Sequence, residues 1–124
     1  MATVGEVISF IDEVTPNIFT KSQKLYWLSS LDELISEEII KTHEGGEDHT
    51  FTPYGENTPD DTELLAPAPY DAVYRYHLLA QIDLYNGEIT RYNNSAALYN
   101  EAYIAFLNWY NRTHMPLKGA ELSF

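Results

Sequence analysis

Residues 78 to 110 limit the fold more than any other stretch. Leu78, Ile82, Tyr85, Ile89, Tyr92, Ala96, Tyr99, Tyr103, Phe106 and Tyr110 follow one another at intervals of four and three. That spacing draws one apolar stripe along a helical surface. A single helix from Tyr70 to Asn111 would be about 60 Å long at roughly 1.5 Å per residue. A compact chain of this size is only about 35 Å across. The stripe is therefore expected to fold back on itself. Asn86-Gly87 is the natural stop, since both residues tolerate left-handed backbone. Asn93, Asn94 and Ser95 are the candidate N-caps of the returning helix. A tyrosine-rich antiparallel hairpin is the expected result. One unbroken helix, which the continuous phase of the stripe allows, is the alternative.

The chain before the hairpin reads as two more helices. Thr3-Val4-Gly5-Glu6 has the form of a capping box, followed by Val4, Val7, Ile8, Ile11 and Val14 at helical spacing. Pro16 ends that helix. Thr20-Lys21-Ser22-Gln23 repeats the capping pattern. Leu25, Leu28, Leu31, Ile35 and Ile39 then mark one buried face, widened by Trp27 and Leu34, with the helix running to about Thr42. Glu33, Glu37, Glu38 and Lys41 fall largely on the solvated side. Pro67 and Pro69 open the third helix, with Asp71 in its first turn where the helix dipole favours an acid.

Between the second and third helices, residues 43–66 change character. Gly45, Gly46, Pro53, Gly55 and Pro59 punctuate a long irregular loop. A short β pair, Thr50 to Tyr54 with Glu63 to Ala66, is a possible element within it. Loops of this length in small domains are functional or mobile. The expectation is a loop that is partly mobile in the free subunit and orders against a partner. The whole is expected to be one all-α domain over residues 1–124, a bundle of about four helices with a loose tail over 117–124.

Charge and composition narrow the function. Nineteen acids face seven bases, a net charge of −12. Tight binding to DNA phosphates needs clustered Lys and Arg, so that class is disfavoured. There is no cysteine, and hence no disulfide scaffold or thiolate metal site. No signal peptide and no apolar run long enough for a bilayer is visible. His43, Glu44, Glu47, Asp48 and His49 form the one metal-like cluster, but at no recognised metal spacing, and a solvated acidic turn is the reading. His77 and Asp83 lie six residues apart, on different sides of a helix, so they do not form a catalytic pair. His77 is expected to be packed or hydrogen-bonded. No nucleophile motif, phosphate loop or dinucleotide fingerprint appears. The expectation is a non-enzyme with no catalytic, cofactor-binding or metal-binding residues and no cofactor.

Several segments together carry a resemblance. They are Thr3-Val4-Gly5-Glu6-Val7-Ile8, Lys24-Leu25-Tyr26-Trp27-Leu28-Ser29-Ser30-Leu31-Asp32, Thr42-His43-Glu44-Gly45-Gly46, Pro67-Ala68-Pro69-Tyr70-Asp71, Ala80-Gln81-Ile82-Asp83, Asn86-Gly87-Glu88, Arg91-Tyr92-Asn93-Asn94-Ser95 and Tyr110-Asn111-Arg112-Thr113-His114-Met115-Pro116. The chain resembles, over nearly its whole length, a family of small proteins encoded near the capsid genes of tailed phages and prophages in Gram-positive gut bacteria. Architecture and genomic setting are similar to head–tail connector (adaptor) proteins, which form a ring under the portal through which DNA passes. The resemblance implies a virion structural protein, present in the host cytoplasm during assembly. Its implied partners are further copies of itself and the portal or neighbouring head and tail proteins, with no sequence-specific nucleic acid and no membrane. It brings no catalytic residues. The candidate interface residues are Phe51, Tyr54, Leu64, Leu65, Arg91 and Tyr92. The alternative function is a phage interaction module outside the virion, either a packaging or assembly chaperone or a host-factor binder.

Overall fold

The computed structural model describes residues 2–117. The first helix, α1, spans Val4–Val14. Thr3 caps it by accepting the Glu6 N–H at 3.2 Å. Val4, Val7, Ile8 and Ile11 are buried, as their spacing requires. The second helix, α2, spans Lys21–Ile35 and opens with a complete capping box: the Thr20 hydroxyl accepts the Gln23 N–H, and the Gln23 side chain accepts the Thr20 N–H.

The α-helical part of α2 ends seven residues before the expected Thr42. It continues as a π-helical turn over Ser36–Ile40, closed by the bond from Lys41 N–H to the Ser36 carbonyl. The wider turn lets Ile35, Ser36 and Ile39 all face inward. Glu33, Glu37 and Glu38 face solvent as expected, but Leu34 does too and does not widen the buried face. Trp27 does widen it.

Helix α3 spans Ala72–Tyr85, and α4 spans Ile89–Thr113. Gly87, at φ +74°, takes the left-handed conformation that turns the chain between them. Helix α4 then runs back along α3, bringing Ser95 to Asp83, Tyr99 to His77 and Phe106 to Tyr70. Its start lies four residues before the expected caps. Glu88 holds the cap position, and Ser95 instead donates its hydroxyl to the buried Asp83 at 2.7 Å. Of the apolar stripe, Leu78, Ile82 and Phe106 are core, and Tyr103 and Tyr110 pack against it half-buried. Tyr99 is half-buried, and Tyr85 and Ile89 at the turn are exposed. The described residues thus form an all-α bundle of four helices.

No strand pair joins residues 50–54 to 63–66. Glu63 makes an isolated antiparallel bridge to Thr3 instead, and His43 makes one to Pro116. The backbone that could have paired within the loop bonds the chain's N-terminal segment: Val4 N–H to the Thr62 carbonyl, Leu64 N–H to the Ala2 carbonyl and Gly5 N–H to the Asp60 carbonyl. Leu64 and Ala66 belong to the hydrophobic core. The loop was expected to be partly mobile; its buried residues sit at its two ends, His43 and Gly46 at the start and Leu64 and Ala66 at the close, where composition averaged over its length hides them. Of the expected loose tail, Leu117 is held by its N–H bond to the Thr42 carbonyl, and the remainder lies outside the described residues.

Candidate interaction surface and the buried polar clusters

A fully buried carboxylate, Asp32, anchors the interior of the bundle. It sits on the apolar side of α2 among Leu28, Leu31 and Ile35. Tyr54 donates its hydroxyl to Oδ2, and the Leu65 N–H donates to the same oxygen at 3.2 Å. Tyr74 of α3 donates to Oδ1 at 2.6 Å and itself accepts the Ala66 N–H at 2.6 Å. Burial pushes the Asp32 carboxyl above the usual range, against these hydrogen bonds and the positive influence of His49, which pull it down. The Tyr74 and Tyr54 hydroxyls are raised by burial first, then by the neighbouring carboxylate. Sealed from solvent, with both oxygens engaged, Asp32 is a clamp between loop, α2 and α3. It is not positioned to meet a substrate.

A second cluster holds the far end of the loop. His43 is buried, so it is not part of a solvated turn. Its Nδ1–H donates to the Ile39 carbonyl at 2.6 Å, and its Nε2 faces the Asn111 side-chain amide at 2.6 Å. The His49 ring lies 2.7 Å from the Ser36 hydroxyl. Glu44, Glu47 and Asp48 stay exposed beside an open pocket of about 490 Å³ that also includes Tyr110 and His114. Among the described residues no group of three or more metal-capable side chains converges. His77 and Asp83 are separate, as expected. His77 donates its Nε2–H to the Trp27 carbonyl at 3.0 Å, and burial lowers its pKa below the ordinary value. Lys24, also buried, meets Asp12 at 2.6 Å.

The six candidate interface residues are not one surface. Leu64 is in the core, and Leu65 packs against it half-buried. Tyr54 is half-buried and committed to Asp32, with Phe51 edge-on against its ring at 5.1 Å between centroids. These four therefore serve the fold of this chain, with only part of Phe51, Tyr54 and Leu65 left at the surface. Arg91 is exposed and Tyr92 half-buried, in the first turn of α4.

The open apolar surface lies elsewhere. Phe19 meets Trp27 edge-on at 5.3 Å, and Tyr85 stacks on Trp27 at 5.8 Å. With Ser22, Gln23 and Tyr26 they line a pocket of about 370 Å³ carrying no charged side chain. Tyr26 is 68% exposed, Tyr85 63% and the neighbouring Ile18 91%. Helical spacing assigned Tyr85 to the buried stripe and left Ile18 and Tyr26 unremarked. Tyr26 stands one residue off the buried positions of α2, which is the signal that marks it as outward. The signal for Asp32 was similar: a carboxylate in register with Leu28, Leu31 and Ile35. No helix among the described residues is long and apolar enough to cross a membrane. Comparison with known proteins finds no matching family model, no matching curated protein and no matching solved structure.

Proposed function

We propose that this protein is a structural subunit of a tailed-phage particle, a head–tail connector that assembles with copies of itself into a ring below the portal. The observation that carries this reading is the exposed apolar surface of Ile18, Tyr26, Tyr85 and the Phe19–Trp27 pocket on a small four-helix bundle. Large apolar groups in water mark protein–protein contact. The resemblance to small phage proteins encoded beside capsid genes supplies the setting. The buried polar groups, engaged with one another inside the bundle, are consistent with a scaffold that presents surfaces and performs no reaction.

Helices α3 and α4 carry seven of the ten tyrosines. In this reading they form a tyrosine-rich hairpin that is the rigid unit of the subunit. Tyrosine suits that role, with a large ring for packing and a hydroxyl that tolerates water. A ring requires one face of a subunit to meet a different face of the next. The acid excess fits a lumen that repels DNA phosphate and lets the genome slide.

Mass spectrometry of purified virions is the test. A connector is recovered as a stoichiometric component of the particle. A chaperone or host-factor binder is present in the infected cell and missing from the particle, and that result would replace the connector reading with the second one.

A further inference from the structure

The middle of the long loop is fastened to α2 by a row of buried polar groups. Ser29, Asp32 and Ser36 stand three and four residues apart, on one face of the helix and its π-helical end. Each is buried, and each meets the loop. The Ser29 hydroxyl accepts the Tyr54 N–H at 3.1 Å, and Asp32 accepts the Tyr54 hydroxyl. The Ser36 hydroxyl lies 2.7 Å from Nδ1 of His49. Among the described residues, Tyr54 makes the only hydrogen bonds between residues 50–58 and a helix. No residue from 47 to 63 is itself buried. The two ends of the loop are held separately, by buried His43 and Gly46 at the start and by Leu64, Leu65 and Ala66 at the close. A segment with few buried contacts between two fixed ends opens at less cost than the helices beneath it.

Asp32 makes that opening sensitive to protons. The groups that face it are Tyr54, the Leu65 N–H and His49 from the loop, and Tyr74 from α3. Oδ1 must remain an acceptor, because the fully buried Tyr74 hydroxyl donates to it. An added proton therefore goes to Oδ2, on the line to the Tyr54 hydroxyl. Tyr54 must then turn its own O–H away. What is left is a neutral bond, about half as strong as the charge-assisted one. His49 acts the other way, since its positive charge favours the carboxylate. Burial outweighs it and favours the protonated carboxyl, which forms at a pH above the usual carboxylate range.

We propose that residues 49–58 are a strap that lifts from α2 when Asp32 takes up a proton, while the four helices and residues 60–66 stay in place. The seat it leaves is two hydroxyls and a carboxyl, groups that water can bond. The rings of Phe51 and Tyr54, edge-on at 5.1 Å between centroids, leave the bundle together. The strap does not rest on the connector reading and holds or fails without it.

Nuclear magnetic resonance of the full chain reads each part. The Asp32 Cγ shift follows its ionisation, and hydrogen exchange gives the protection of single amides after correction for the intrinsic effect of pH. Protection of the Tyr54 N–H is expected to fall about tenfold or more across the Asp32 titration, while Leu28 and Leu31 in α2 keep theirs. Asp32→Asn holds a neutral side chain at every pH. It should show the lowered Tyr54 protection already at neutral pH. Tyr54 protection that stays constant through the Asp32 titration would overturn the proposal. So would an equal fall at Leu28 and Leu31, which is unfolding of the bundle and not lifting of a strap. An Asp32 that stays ionised until the helices melt would also overturn it, and so would a folded Asp32→Asn chain with wild-type protection at Tyr54. If Asp32→Asn does not fold, the wild-type titration decides alone.

Discussion

Asp32 on α2 and Tyr74 on α3 meet at 2.6 Å with neither side chain exposed, and the return of the long loop into the core is organised by that pair. Tyr74 receives the Ala66 N–H, and Asp32 receives the Leu65 N–H and the Tyr54 hydroxyl. Tyr74→Phe keeps the ring and deletes one oxygen. It leaves a buried N–H unpaired and takes a donor from a buried carboxylate, at a cost of about 3 kcal/mol. Urea unfolding of the two proteins measures it, and a difference under about 0.5 kcal/mol, the scale of an ordinary surface change, would remove the clamp from this account.

His77 gives the fold a pH dependence of known sign. Burial holds its folded pKa below the ordinary 6.5, so the folded chain binds that proton less readily than the unfolded one. Its neutral form therefore contributes stability that is fully present above 6.5 and is lost as pH falls through the lower folded value. His77→Gln can keep a donor for the Trp27 carbonyl without titrating. The gap in stability between wild type and variant should shift against the wild type between neutral pH and about pH 5. A gap that does not move with pH would contradict the assignment.

Gly46 is buried against the end of the π-helical turn. A Cβ there would overlap the Ile40 carbonyl oxygen, a backbone atom fixed by the turn. Gly46→Ala is expected to cost about 1–3 kcal/mol through that overlap. Gly55, in the same loop, has open space where its Cβ would stand, so Gly55→Ala is the control and should be close to neutral. Equal thermal shifts for the two would show that crowding at Gly46 is not the cause.

The helices were legible where one residue type decides the local backbone. Thr20 and Gln23 cap α2 as their spacing requires, and Gly87 breaks the tyrosine stripe because no other residue there takes positive φ so freely. Leu28, Leu31, Leu78, Ile82 and Phe106 were legible as core because periodicity reports burial. What stayed hidden depends on partners distant in sequence. Asp32 has the chemistry of a surface residue until Tyr54, Tyr74 and Leu65 are seen around it. Ser95 is as good a cap as Glu88 is poor, yet Asp83 claims its hydroxyl. The π turn leaves no mark in composition, since Ser36–Ile40 continues the helical spacing of apolar residues. Phe51, Tyr54, Leu64 and Leu65 are costly to leave in water, and the chain itself covers much of them, which periodicity in an irregular loop does not report.

The acid excess predicts weak contact with nucleic acid. Four of the chain's seven bases, Lys21, Lys24, Lys41 and Arg75, are already engaged with Asp60, Asp12, Glu37 and Asp71. The isolated protein is expected to show no appreciable affinity for duplex DNA at physiological salt. Fluorescence anisotropy with a labelled duplex tests this, and a sub-micromolar affinity that weakens with added salt would reverse it.

The loop offers the sharpest test of how this fold is held. Entropy alone makes it look dispensable, since shortening a loop changes closure by well under about 1 kcal/mol. Its contacts argue otherwise. Replacing residues 46–62 with a short Gly-Ser linker removes the Tyr54 hydroxyl from Asp32 and the Tyr54 N–H from Ser29. It also removes His49 from Ser36, and the Asp60 and Thr62 carbonyls from the first turn of α1. Each bond contributes about 1 kcal/mol, and the buried groups left unpaired at Asp32 and Ser36 add more. Domains of this size are stable by only about 5–15 kcal/mol, so the variant should lose most of its stability or fail to fold. A linker variant that keeps the wild-type urea midpoint and helical signal would show that the bundle stands without the loop. The loop would then be free for a partner, and the clamp at Asp32 would be a consequence of the fold and not one of its supports.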